Sequence, residues 1–147
     1  MSDTNSQQLV VFSIGTEEYA LPIGSVHEII RFTEPRSVAS DVTGIRGVIG
    51  LRGKIIPIYD LAARIGIPVD GAEFGKIVIV ETGTGQAGVV VGDVEEVLTI
   101  TPDQLEAVPT ADSQTIESIA KIDDRLGILL NPEGLFTPAG ADELAAA

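Results

Sequence analysis

The chain has 147 residues, of which 44% are hydrophobic but only 4% aromatic, with nine basic residues against 22 acidic ones and a formal charge of −13. That charge repels nucleic-acid backbones and anionic lipid. The absence of cysteine removes disulfide frameworks and thiolate metal sites. Nothing at the start, Met1 to Gln8, has the basic and apolar regions of a signal peptide. No apolar run approaches the ~20 residues of a membrane span, so direct membrane insertion is not expected and the cytoplasm is the expected location.

In chain order, residues 1–7 read as a disordered N-terminus. Val- and Ile-rich runs bounded by Gly, Asp or Pro then predict strands at Leu9–Ile14, Tyr19–Ile23, Glu28–Phe32, Gly47–Leu51 and Lys54–Tyr59. Asp60 is placed to cap a short turn of helix over Leu61–Ile65, which Gly66 ends. Residues 67–75 lose all periodicity and read as a linker. Five further strands follow at Ile77–Thr82, Ala87–Val91, Glu96–Ile100, Glu117–Ile122 and Leu126–Leu130. Single turns with Pro at the first position are expected at Pro102–Leu105 and Pro132–Leu135. Residues 137–147, rich in Ala and acids, read as a flexible or short-helical tail.

The two sets of strands are copies. Leu9 to Thr33 lies over Ile77 to Thr101 at a spacing of 68 residues, with Gly15, Gly24, Val26, Glu28 and Thr33 falling on Gly83, Gly92, Val94, Glu96 and Thr101. At a spacing of 71, Val48, Leu51, Lys54 and Ile55 fall on Ile119, Ile122, Arg125 and Leu126. Five short strands per copy suit a small, partly open barrel, which limits exposed sheet edges. The expected architecture is a single all-β domain over residues 8–136, with barrel-forming repeats at about 8–66 and 76–136.

Catalytic patterns do not hold. Gly83-Thr84-Gly85-Gln86-Ala87-Gly88 fits the dinucleotide fingerprint, but strand-forming Val89-Val90-Val91 follows where a helix must receive the pyrophosphate. Gly47 to Lys54 departs from a phosphate loop in spacing, and Ile55 replaces the magnesium-binding hydroxyl. His27 is the only histidine, which leaves no metal cluster and no triad. Glu17-Glu18, Glu95-Glu96 and Asp123-Asp124 read as solvated acids, because neighbours on a strand face opposite sides. A hydrolase would need distant acids such as Glu28 and Glu96 to converge. Catalytic, cofactor-binding and metal-binding residues are therefore expected to be absent.

The informative segment is Gly44 to Leu61, two strands around a tight turn. Gly53 permits positive φ and sets Arg52 at the tip, where its guanidinium is free to meet a partner's carboxylate. Gly47-Val48-Ile49-Gly50-Leu51-Arg52-Gly53 resembles the G-V-x-N-L-R-G element of the CheW family of chemotaxis coupling proteins. Ile56-Pro57-Ile58-Tyr59-Asp60-Leu61 resembles the strand after it, and Val11 to Ile23 with Val26-His27-Glu28-Ile29 resembles the family's first hairpin and V-x-E-I element. Two departures are Gly50 in place of the family's usual Asn, and Val91-Gly92-Asp93-Val94 in place of V-D-x-V, with the acid one position later.

The resemblance implies two five-stranded SH3-like barrels and a non-enzymatic adaptor that joins the cytoplasmic tip of chemoreceptors to the regulatory domain of a CheA-type histidine kinase. It implies Val26, Glu28, Gly47, Arg52 and Ile77 as receptor-binding positions, with Gly50 and Gly53 supporting the turn, a groove between barrels for the receptor tip, and self-association in rings. An adaptor of a pilus- or surface-sensing pathway is the nearest alternative, and a small-molecule-sensing β-barrel module a more distant one.

Overall fold

The computed structural model describes residues 6–38, 44–61, 63, 74–83, 85–106, 116–122 and 125–132. These form eleven strands: β1 (Gln7–Ile14), β2 (Glu17–Pro22), β3 (Val26–Arg31), β4 (Ile45–Leu51), β5 (Lys54–Asp60), β6 (Lys76–Thr82), β7 (Gly85–Val91), β8 (Asp93–Ile100), β9 (Leu105–Glu106), β10 (Ile116–Ile122) and β11 (Arg125–Leu130). All ten expected strands are present, and the two-residue β9 is additional. One-turn 3-10 segments at Ile23–Ser25 and Pro102–Gln104 join strands. No helix among the described residues is long and apolar enough to cross a membrane.

The strands build two SH3-like barrels, and their pairing corrects the expectation that each repeat makes its own. Barrel A has the order β8-β1-β2-β11-β10-β9 and barrel B the order β3-β6-β7-β5-β4. Each therefore takes its first hairpin from one repeat and its other strands from the other repeat. The exchange is symmetric: β2 runs parallel to β11 in barrel A, and its counterpart β7 runs parallel to β5 in barrel B.

Register preserves the repeat down to its irregularities. Leu9 faces Leu98 in barrel A, and the equivalent Ile77 faces Ile30 in barrel B. The β1–β8 ladder skips Glu95, and the β6–β3 ladder skips the equivalent His27. The β4–β5 ladder skips Arg46, and the β10–β11 ladder skips the equivalent Glu117. Such bulges bend a strand and raise its twist, which a small barrel needs in order to curl.

Burial explains why some strands read as unbroken apolar runs and others alternate. On the central hairpins, one face lines its own barrel and the other lines the seam between barrels. In β1, Leu9 and Val11 join the barrel A core, while Phe12 and Ile14 join the shared one. In β6, Ile77 and Ile79 join the barrel B core, while Val78 and Val80 join the shared one. Strands covered on both faces need apolar residues throughout. The edge strands β3 and β8 have one wet face, and their burial alternates residue by residue.

Two residues placed outside the barrels by the expected domain map take part in the fold. Gln7, expected in a disordered terminus, already pairs with Ile100 in β1. Phe74, expected in the linker, packs on both the shared core and the barrel B core and stacks on Phe32. The Arg46 guanidinium lies 5.0 Å from the centre of the Phe74 ring. Asp60 accepts a hydrogen bond from Ala63 N at 3.2 Å, as a cap should, whereas residues 64–73 and the tail lie outside the described residues.

Candidate functional site: a cationic corner on barrel B

The corner is set by the β4–β5 turn. Leu51 pairs with Lys54, leaving Arg52 and Gly53 as the two turn residues, with φ of 51° and 80°. Positive φ at both positions matches the twist of the flanking strands. Gly53 adopts it freely, whereas a residue with a side chain pays about 1–2 kcal/mol, so Arg52 is held in place by the hairpin around it.

Arg52 Nη1 donates to Glu28 Oε1. The arginine side chain remains 68% exposed and that of Glu28 22%. A pair this wet contributes no more than about 1 kcal/mol to stability, so its effect is to orient the guanidinium. β3 bulges at His27, whose Nε2 lies 3.7 Å from the same Glu28 oxygen and whose Nδ1 lies 3.4 Å from Glu81 Oε1. Beside them is a shallow depression of about 240 Å³ lined by His27, Glu28, Arg52, Lys54, Glu81 and Gln86.

The expected site residues divide into surface and support. Arg52 and Glu28 meet directly, and Val26, half-buried two residues before Glu28, packs on the shared core. Gly47 and Ile77, expected as contact positions, are buried and present no side-chain surface. Ile77 is fully covered within the barrel B core. Gly47 has φ of 152°, and a Cβ there would lie 2.2 Å from the Arg36 carbonyl oxygen. That oxygen accepts from Val48 N at 2.9 Å, while Arg36 N donates to Val48 O at 2.8 Å, the bridge that closes barrel B onto β4.

The two departures from the family pattern are absorbed locally. Gly50 has open space where a side chain would stand, and it keeps its place opposite Ile55 in the ladder. Asp93 Oδ1 accepts from Val94 N at 2.8 Å and lies 3.7 Å from Lys76 Nζ. Glu28 and Glu96 are not brought together as a hydrolytic pair: they sit in different barrels, each beside its own arginine. Among the described residues, no group of three or more His, Asp or Glu is gathered as a metal site would require.

A second corner was hidden in the acid doublets. Arg125 Nη1 donates to Glu18 Oε2 at 2.9 Å, and its Nη2 donates to Glu96 Oε2 at 2.8 Å. Glu18 and Glu96, expected as solvated acids, are thus each half of a doublet tied to one guanidinium. The signal was the repeat itself, since Glu96 is the equivalent of Glu28. Asp123 and Asp124 lie outside the described residues.

Comparison with known proteins agrees with this architecture. Residues 8–139 match the family model described as the CheW-like domain. The chain is 33% identical over 136 residues to a probable chemotaxis protein CheW of Rhizobium etli, covering 89% of this chain and 88% of that protein. It is 29% identical over 142 residues to the chemotaxis protein CheW of Klebsiella aerogenes, covering 92% and 84% respectively. The crystal structure of the scaffolding protein TtCheW from Thermoanaerobacter tengcongensis superposes with a TM-score of 0.81 at 38% identity, covering 91% of this chain and 94% of that one. With this match of fold, motif and length, the chain belongs to the CheW family of chemotaxis scaffold proteins.

Proposed function

We propose that the protein is a cytoplasmic adaptor, without catalytic chemistry of its own, that couples the cytoplasmic tips of chemoreceptors, the methyl-accepting chemotaxis proteins, to the regulatory domain of a CheA-type histidine kinase. The observation that carries the reading is the Arg52 guanidinium, exposed on a rigid two-residue turn and aimed by Glu28. A fixed charge at the rim of an interface sets orientation and association rate more than affinity. A receptor hairpin would lay an apolar stripe along the groove between barrels, near Val26, with Arg52 and Glu28 at its rim. Gly47 and Ile77 act from beneath, holding β4 and β6 in place.

Contact with the kinase, and ring formation between copies, is assigned to the barrel ends. Ile55 and Leu126, equivalent by the repeat, are 72% and 66% exposed at the starts of β5 and β11 and give each barrel an apolar point of contact. Reconstitution tests the reading. Mixed with a CheA-type kinase and receptor cytoplasmic fragments, the protein should bring kinase autophosphorylation under receptor control. Arg52→Glu should weaken receptor binding about fivefold or more while leaving the melting temperature within a few degrees of the parent. Identical kinase activity with and without the protein would refute the assignment.

A further inference from the structure

The two corners are the same place in the two repeats. The closing pair Leu51–Lys54 of the β4–β5 turn corresponds to Ile122–Arg125 of the β10–β11 turn. Glu28 corresponds to Glu96, and Gln86, opposite Glu81 in its hairpin, corresponds to Glu18, opposite Ser13. In barrel A the cation of this constellation, Arg125, is spanned by two carboxylates of its own chain at 2.8 and 2.9 Å. In barrel B the equivalent cation, Lys54, has neither. Glu28 is taken by Arg52, Glu81 Oε1 lies 3.4 Å from His27 Nδ1, and the amide of Gln86 carries no charge. Lys54 lines the depression with no ion-pair partner among the described residues.

We propose that the depression is a carboxylate-binding subsite of the partner-docking surface, in which an Asp or Glu side chain of the docked receptor meets Lys54 in the position that Glu18 occupies on Arg125 in barrel A. This inference rests on the receptor reading of the corner. Barrel A displays the filled form of the site within the same molecule, so the required placement of the carboxylate is visible. Gln86 is the specificity-determining residue: a glutamate there would fill the site from within, as Glu18 does. In a chain of charge −13, an uncommitted lysine beside an exposed arginine is the local exception that lets an acidic side chain approach. Only one of the two corners is open, so a partner that reads it can engage barrel B and not its pseudo-symmetric twin.

The test measures binding of the full-length protein to a receptor cytoplasmic fragment at about 0.15 M salt. Lys54→Gln and Gln86→Glu are each expected to weaken binding about three- to fivefold, and Lys54→Gln to flatten its salt dependence. Gln86→Ala, which removes the amide without adding charge, should weaken binding less than Gln86→Glu does. A crystal structure of Gln86→Glu should place the new carboxylate against Lys54. The inference fails if Lys54→Gln and Gln86→Glu bind like the parent, or if Gln86→Ala loses as much as Gln86→Glu. Should Arg52→Glu still weaken binding in that case, the receptor reading survives and only the subsite falls; if Arg52→Glu also binds normally, both fall.

Discussion

Positions 47 and 118 are the same place in the two copies, one residue past a bulge in the strand that opens the last hairpin, yet one barrel has glycine there and the other serine. In barrel B the segment after β3 closes on β4 through the Arg36–Val48 bridge, and the Arg36 carbonyl sits where a Cβ on Gly47 would stand. In barrel A the closure is a short strand, β9, paired with Ile119 and Ala120, and the Ser118 hydroxyl is enclosed there without a hydrogen-bond partner. The backbone plan was kept in both copies while side chains diverged. Lys54 against Arg125 is the same lesson at the surface, where Arg125 pairs with Glu18 and Glu96 while Lys54 has no ion-pair partner among the described residues.

Paired substitutions probe how far the equivalence runs. The largest effect is expected in the private cores, where Leu9 and Ile77 are equivalents and both fully buried. Leu9→Ala and Ile77→Ala should each lower unfolding free energy by about 2–5 kcal/mol, read from urea midpoints at constant slope. One shared transition in both variants would show that the barrels unfold as a unit, whereas a split transition in either would show that the seam does not bind them into one. Gly47→Ser, which gives barrel B the residue of barrel A, should cost about 2–3 kcal/mol because a side chain meets the Arg36 carbonyl at unfavourable φ. The reverse change, Ser118→Gly, should cost under about 1 kcal/mol. Equal losses would mean that the two closures are not different after all.

A smaller effect than the core losses concerns the seam, where Tyr19 stacks on Phe12 with centroids 6.1 Å apart and its hydroxyl is buried without a partner. Its equivalent in the other copy is Ala87, also buried. Tyr19→Phe removes an unsatisfied group and should raise stability by about 1 kcal/mol. Burial, with a lesser push from the Glu17 charge, raises the phenol above its ordinary value of 10.0. The folded state therefore prefers the neutral phenol. Its contribution is intact below that ordinary value and is lost as pH climbs through the higher folded one, so the parent should weaken at alkaline pH more steeply than Tyr19→Phe. A variant that melts below the parent at neutral pH would show that the hydroxyl contributes favourably.

The strands were legible because Val and Ile cluster between turn residues, and the repeat because apolar register survives where identity does not. The Arg52 corner was legible from Gly53 and from the family motif. The exchange of hairpins was not, since a ladder between Ala20 and Leu129 leaves no trace in either local segment. Its one sequence sign was the contrast between continuous runs in β1, β6 and β7 and alternation in β3 and β8, which records burial on two faces against one. Burial of Gly47 and Ile77 escaped because a motif position does not say whether it meets a partner or supports one that does. The Glu18–Arg125–Glu96 cluster escaped because each acid, taken with its neighbour, looks like an ordinary charged strand end.

The exchanged hairpins also set the order in which the molecule can be completed during synthesis. β1 and β2 leave the ribosome first, but the strands that flank them, β8 and β11, come from the far side of the second repeat. Until those emerge, Leu9, Val11 and Phe12 belong to a lone hairpin with no sheet to join, a form that is at best marginally stable and prone to sticking. Barrel B, whose strands β3 to β7 are contiguous, can close while its neighbour is still waiting, and the nascent chain has a window of vulnerability that ends only with β11.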